Sequence, residues 1–177
     1  FLLNNPESPS VRELLYGKLN VDINQMPLLY ADITGISGTK RGALAFNDVW
    51  VRLDSGQSAW VELEIDGIKR ISRLEGDGIL AATSAGSTAY AKSAGATPVL
   101  DAGARTITLV GLHVFQPNWK HMQISLDSEV VWRNLDRHFS CSFARRTCES
   151  SAVGRLMAAG EATRDQWFAC NLPTYPC

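Results

Sequence analysis

From Pro27 onward the apolar positions fall on a two-residue period. Val49, Val51 and Leu53 share one face of a segment whose other face carries Trp50 and Arg52. Ala59, Val61, Leu63 and Ile65 alternate with Trp60, Glu62, Glu64 and Asp66. A period of two sends successive side chains to opposite faces, so both segments predict half-buried β-strands. Asp54-Ser55-Gly56-Gln57-Ser58 between them reads as a hairpin loop, with Trp50 and Trp60 on the wet faces as a cross-strand pair or a subunit contact. Asp66-Gly67 is the strongest short turn signal in the chain and leads into Ile68-Lys69-Arg70-Ile71. Further strands are expected at Thr106–Val114, Met122–Leu126 and Val130–Trp132, which together give an antiparallel meander with one wet face.

Three stretches depart from this period. Near the start, Ser10 is placed to cap a short helix, Glu13 to complete a capping box and Gly17 to stop it. In the middle, Thr83-Ser84-Ala85-Gly86-Ser87-Thr88-Ala89 is a run of small residues. It is expected to follow a short strand and to open a helix of about two turns closed by Gly95. From Arg133 the alternation fades, and Ser150 to Phe168 has helical character, with Val153, Leu156 and Met157 on one side. The fold class is therefore mainly β: a β-rich domain over residues 1–132, then a Cys-containing tail over 133–177.

Size and charge narrow the picture. A chain of 177 residues and 19.4 kDa, 45% of them hydrophobic, is long enough to build a real core; surface scaling lets about 70% of the extended surface be buried. Lys and Arg number 17 against 18 Asp and Glu, a net charge of −1, so no basic field is available to neutralise nucleic-acid phosphates. No run reaches the ~18 to 20 apolar residues that a membrane span requires. All four cysteines fall in the tail, at Cys141, Cys148, Cys170 and Cys177. Their spacing matches no usual zinc pattern of close pairs, which leaves free thiols or a tail disulfide, and the expected compartment is cytoplasmic.

Candidate chemistry gathers in the small-residue loop. Without bulky side chains a ligand can approach its backbone, and the helix start offers N–H groups. The hydroxyls of Ser87 and Thr88 offer donors and acceptors, and the Tyr90 ring suits stacking on a base. The plainer alternative, a tight turn packed under a sheet, stays open on these residues alone. Gly86-Ser87-Thr88 lacks the Gly-Lys-Ser/Thr order of a phosphate-binding P-loop. Ser37-Gly-Thr-Lys40 matches a Ser-x-x-Lys string without its companion motifs. His113 reads as a satisfied core histidine in an apolar strand, His121 as a surface loop residue, and Arg145-Arg146 as a solvated charge pair.

Gly76-Asp77-Gly78, then Ala82-Thr83-Ser84-Ala85-Gly86-Ser87-Thr88-Ala89-Tyr90 and Ser93-Ala94-Gly95, resembles the GDG…TPTGSTAY…SAGG signature of the NAD kinase family. Ala45-Phe46-Asn47-Asp48-Val49 resembles the Leu-Asn-Glu strand of that family, and Phe1-Leu2 its Gly-Phe-Leu. Order and spacing agree over about residues 1 to 130, the C-terminal NAD-binding domain of such an enzyme. The resemblance implies an all-β, sandwich-like body that supplies most contacts to NAD. It also implies phosphorylation of the adenosine ribose 2′-hydroxyl to give NADP, with ATP or polyphosphate as donor and a divalent metal, in a homodimer or tetramer whose subunits complete each other's sites. By matching position, Asn47 and Asp48 would hold the adenosine ribose and Asp77 would lie near an adenine edge. Thr88, Ala89 and Tyr90 would line the dinucleotide site, with Ser93 just beyond.

The departures from the family pattern matter equally. The family's catalytic Gly-Gly-Asp-Gly is expected upstream of Phe1; Gly76-Asp77-Gly78, preceded by Glu75, matches the second motif, so no catalytic residue or metal ligand is assigned in this sequence. The family's Glu is shortened to Asp48, and its loop Pro is replaced by Ala85. The expectation is therefore a chain that binds NAD without catalysing. The alternatives are a non-catalytic dinucleotide-binding or assembly module on the same fold and, more distantly, a lipid kinase relative.

Overall fold

Each alternating segment has one face of aliphatic side chains to bury and one polar face to leave outside, which a pleated sheet accommodates and a helix does not. The computed structural model describes residues 12–13, 15–17, 26–34, 38, 40–53, 58–135, 141–143, 146–148 and 153–159. In chain order the strands among them are β1 (Leu28–Thr34), β2 (Lys40–Ala45), β3 (Asp48–Leu53), β4 (Ala59–Ile65), β5 (Ile68–Gly76) and β6 (Gly78–Thr83). They continue with β7 (Thr106–Leu112), β8 (His121–Ser125), β9 (Val130–Asn134), β10 (Cys141–Phe143), β11 (Arg146–Cys148) and β12 (Val153–Ala159). They form two antiparallel sheets, one in the order β2-β1-β12-β9-β4-β5 and the other in the order β11-β10-β3-β6-β7-β8.

One apolar core lies between the sheets. Leu29, Ala31, Val61, Leu63, Leu74 and Trp132 come from the first, and Val49, Val51, Ile79, Ala81, Ile107 and Leu109 from the second. Burying a large aliphatic side chain is worth about 1.5–3 kcal/mol, so this layer carries the sandwich. The second sheet is covered on its outer face as well. There Leu80, Ala82, Val110 and Leu112 pack with Ala91 and Ala96 from the segment after the small-residue loop, and half-buried Trp50 packs beside them. Burial on both faces is why β6 reads Ile79-Leu80-Ala81-Ala82 rather than alternating.

Several expectations hold. Asp66 and Gly67 both adopt positive φ, 52° and 72°, the geometry of the tight hairpin turn between β4 and β5. This turn is tied down by Asp66 N–H to the Glu129 carbonyl at 2.9 Å and by Glu129 N–H to Asp66 Oδ1 at 2.8 Å. Arg12, Glu13 and Leu15 are helical, and Gly17 stands at φ 67° where the stop was expected.

Others are corrected. The 54–58 segment is not a hairpin loop: β3 pairs with β6 and β10, whereas β4 pairs with β5 and β9 in the opposite sheet. Alternation states which face a strand buries, not which sheet supplies its neighbour. Trp50 and Trp60 are consequently not a cross-strand pair, and Trp60 is instead covered by the Arg73 guanidinium 3.8 Å from its ring centre. The stretch read as helical carries strand β12, inserted between β1 and β9 with Ala31 opposite Leu156 and Trp132 opposite Gly154. Pairing on both edges overrides the helical spacing of Val153, Leu156 and Met157. The expected two-turn helix is a 3₁₀ turn, Gly86–Thr88, followed by one α-helical turn, α1 (Tyr90–Ser93), closed by Gly95 at φ 93°.

In the tail, Cys141 stands opposite Cys148 in the β10–β11 register. Phe1, Leu2, Ser10, Arg145, Cys170 and Cys177 lie outside the described residues. Among the described residues no helix is long and apolar enough to cross a membrane.

Candidate functional site

Phe46 and Asn47 form the short link between β2 and β3, and the register of β3 with β6 sets Asp48 opposite Ala82. That pairing brings the link onto the small-residue loop. Thr83 N–H donates to the Asn47 carbonyl at 2.9 Å, and Thr83 Oγ1 donates to the Phe46 carbonyl at 2.7 Å. The same hydroxyl accepts Gly86 N–H at 3.0 Å. A Cβ on Gly86 would overlap the Asn47 carbonyl, so only glycine lets the loop lie this close.

The loop hydroxyls are used up inside the protein. Thr83, Ser84 and Ser87 are fully buried. Ser84 donates to the Ala102 carbonyl at 2.6 Å; Ser87 donates to the Ser84 carbonyl at 2.7 Å and accepts Val99 N–H at 2.8 Å. Ser87 is thus a structural clamp on the 99–102 segment, which corrects the reading of its hydroxyl as a ligand group. At the helix start, Ala89 N–H is taken by the Gly86 carbonyl, and the helix that follows is a single turn rather than two.

What the clamp presents outward is the rest of the predicted set. Asn47, Thr88, Ala89 and Ser93 are exposed, and Tyr90 keeps 38% of its surface in solvent. Ser93 Oγ donates to the Tyr90 carbonyl at 2.7 Å, which fixes the one-turn helix. Asp48 is half-buried, on the same outer face of the sheet as Ala82 and Thr108, and burial raises its carboxyl above the usual value. A carboxylate, an amide and a phenol ring are thus carried by the segments on either side of the clamped loop. Such a set accepts hydroxyl hydrogens and stacks on a flat ring.

Asp77 is not part of this cluster. It precedes Gly78 at the far end of β6, so roughly 20 Å of strand separates it from Thr83 at ~3.3 Å per residue. Its backbone is pinned by a 2.8 Å bond from its N–H to the Leu112 carbonyl. Its Oδ2 accepts a 2.8 Å bond from Nδ1 of His113. His113 is therefore no core histidine: it is exposed just past the end of β7, with its backbone at φ 45°. The only sequence hint is that His tolerates positive φ better than the aliphatic residues around it. His121 is half-buried within β8 rather than on a surface loop, with Nε2 3.3 Å from Thr97 Oγ1.

Sequence reasoning also gave no sign of an open groove of about 780 Å³ between β5 and the 115–118 segment, lined by Arg70, Arg73, Glu75, Phe115, Gln116 and Asn118 among others. Among the described residues no three His, Cys, Asp or Glu side chains gather to hold a metal ion. The divalent ion that the resemblance implies thus finds no donor set among the described residues.

Comparison with known proteins gives the site a context. An NAD kinase of Xanthomonas campestris pv. campestris is 40% identical over 101 residues, covering 56% of this chain and 39% of that protein. An NAD kinase of Rhizobium meliloti is 35% identical over 136 residues, 74% of this chain and 51% of that protein. The chain thus spans about half the length, or less, of the curated relatives it matches. Yeast NADH kinase, solved in complex with NADH, superposes with a TM-score of 0.74 at 16% identity, over 91% of this chain and 50% of that one. An NAD kinase from Archaeoglobus fulgidus, solved in complex with ATP, gives 0.64 at 17% identity, over 90% and 62%. At those identities the two structures establish the fold alone. No protein-family model matches the chain. Sequence and fold agree in likening this chain to the C-terminal part of NAD kinases.

Proposed function

We propose that this chain, being similar in sequence and fold to the C-terminal part of NAD kinases, is the NAD-binding portion of such an enzyme. The observation that carries the reading is the clamp of the Thr83–Gly86 loop on the Phe46–Asn47 backbone, which ties the segment leading into Tyr90 to the strand that begins at Asp48. Asn47 and Asp48 take the ribose hydroxyls of NAD, the amide as donor and acceptor and the carboxylate as acceptor. Tyr90 takes a base or nicotinamide face, with Thr88, Ala89 and Ser93 lining the approach.

Asp77 enters differently. Asn47 and Asp48 on one adenosine ribose and Asp77 on its adenine edge are ~20 Å apart within one chain, further than a single nucleoside reaches. Asp77 therefore meets a dinucleotide held by a second copy, and the working form is a homo-oligomer, dimer or tetramer. Residues 133–159 belong to the same domain as 1–132, and the working compartment is the cytoplasm. Phosphoryl transfer from ATP or polyphosphate to the ribose, with a divalent metal, draws on a segment that supplies the general base and is not among these 177 residues.

The test is calorimetric titration of the chain with NAD, beside a Tyr90→Ala variant. One-to-one saturable binding, weakened about tenfold or more in the variant, is expected. Equal affinity of parent and variant removes Tyr90 from the site, and no binding by the folded parent removes the reading. A second reading, a dinucleotide-binding module without catalysis, is favoured by the short, half-buried Asp48 where the family has Glu. NADP formation by a chain extended with an upstream kinase half overturns it.

A further inference from the structure

The Asp77–His113 pair asks for an explanation that stability does not supply. Both side chains are mostly in solvent, His113 at 83% and Asp77 at 57%. An ion pair that exposed adds little to folding. Yet His113 adopts φ 45°, a conformation that costs any residue other than glycine some strain. The turn is closely built on both sides. A Cβ on Gly76 would come within 2.8 Å of the Leu112 carbonyl and 2.9 Å of Val114 Cα, and one on Gly78 would overlap the Val51 carbonyl. Phe115 N–H binds the Glu75 carbonyl at 2.7 Å, and Glu75 N–H binds the Gln116 carbonyl at the same distance. The backbone carrying Asp77 and the backbone carrying His113 are thus locked together, and the left-handed His113 turns its ring to the carboxylate.

We propose that His113 is a positioning residue that orients the Asp77 carboxylate toward adenine and so sets selectivity for that base. The inference rests on the reading that Asp77 meets the adenine edge of a dinucleotide. A carboxylate only accepts, so Nδ1 of His113 carries the hydrogen of the 2.8 Å bond to Oδ2. With Oδ2 held, Oδ1 has no partner among the described residues and is presented in a fixed direction. A fixed acceptor suits the 6-amino group of adenine, which donates. Hypoxanthine places a carbonyl at the same position, and two acceptors facing each other repel. Left unrestrained, the carboxylate would rotate, and the preference would shrink.

Three variants of the full chain separate the possibilities, each titrated calorimetrically with NAD and with its hypoxanthine analogue at matched oligomeric state. His113→Gly removes the ring while suiting the positive φ, so the backbone is not strained by the change. His113→Asn also tolerates that φ and offers an amide N–H near the place of Nδ1. Asp77→Ala removes the acceptor. The parent is expected to prefer NAD about tenfold, His113→Gly to lose most of that preference with an intact fold by circular dichroism, and His113→Asn to restore it. If His113→Gly keeps the parent's preference while Asp77→Ala loses it, the positioning role is overturned and the contact by Asp77 stands. If Asp77→Ala binds and discriminates like the parent, the contact itself is wrong and the role of His113 falls with it. A parent that binds neither dinucleotide, or both alike, overturns the proposal too.

Discussion

Asp48 carries opposing demands at the scale of one residue. Burial raises its carboxyl above the ordinary value of 3.8, because the charged form is poorly solvated where it stands. Between that value and the raised one, the folded chain holds more proton than the unfolded chain, so stability falls as pH rises through this window. Asp48→Asn should therefore be more stable than the parent at neutral pH, with the two urea midpoints converging as the solution is made more acidic than about pH 4. The same change should weaken NAD binding about tenfold, since a charge-assisted bond to ribose is lost. A variant that loses stability at neutral pH, or binds NAD unchanged, contradicts one half of this account. Nothing in the residue types near 47–48 reveals the burial. The sequence places Asn47 and Asp48 beside a loop motif, but only the β3–β6 register shows the loop resting on their backbone. For Ser87 the motif misleads, because a buried hydroxyl and a ligand-facing one look alike in a string of small residues.

Between elements, the first sheet is tied on its outer side by charge. Glu62 on β4 receives Lys69 from β5 at 2.6 Å and Arg133 from β9 at 2.8 Å, and Arg133 also reaches Glu64 at 2.9 Å. The hydrogen bond from Lys69, and then that from Arg133, hold the Glu62 carboxyl below its ordinary 4.5. A lowered acid stabilises the fold above its ordinary value, and the gain is lost as pH falls through the lowered one. Glu62→Gln should thus cost about 1 kcal/mol at neutral pH by urea melts and little in acid. A penalty of equal size at both ends of that range would mean a packing effect instead. This three-strand tie was half legible. The β4–β5 hairpin is written in Asp66-Gly67, which turns tightly wherever it stands between alternating runs. The neighbours of β9 are not written locally, since an antiparallel edge accepts any alternating partner. The same gap misassigned the 54–58 segment, whose flanking strands bury facing sides of one core from opposite sheets.

For the whole molecule, the decisive strand is the one furthest from alternation. β12 stands between β1 and β9, bridging two parts of the first sheet that have no other strand between them. A chain ending at Leu135 would expose the edges of β1 and β9 together, and edges of that kind recruit other chains. Such a truncation should lose its cooperative melt and elute as aggregate in gel filtration; a monomer with the parent's midpoint would show β12 to be dispensable. The central place of β12 also sets a clock. During synthesis the β1–β2 hairpin leaves the ribosome before β12 does, and its partner Val153 follows Thr34 by 119 residues. At ~5–20 residues per second that wait is roughly 6–24 s, long against hairpin formation in microseconds. The yield of folded chain is then governed by what shelters one sticky edge during translation, and slower elongation between the two strands lengthens the exposure.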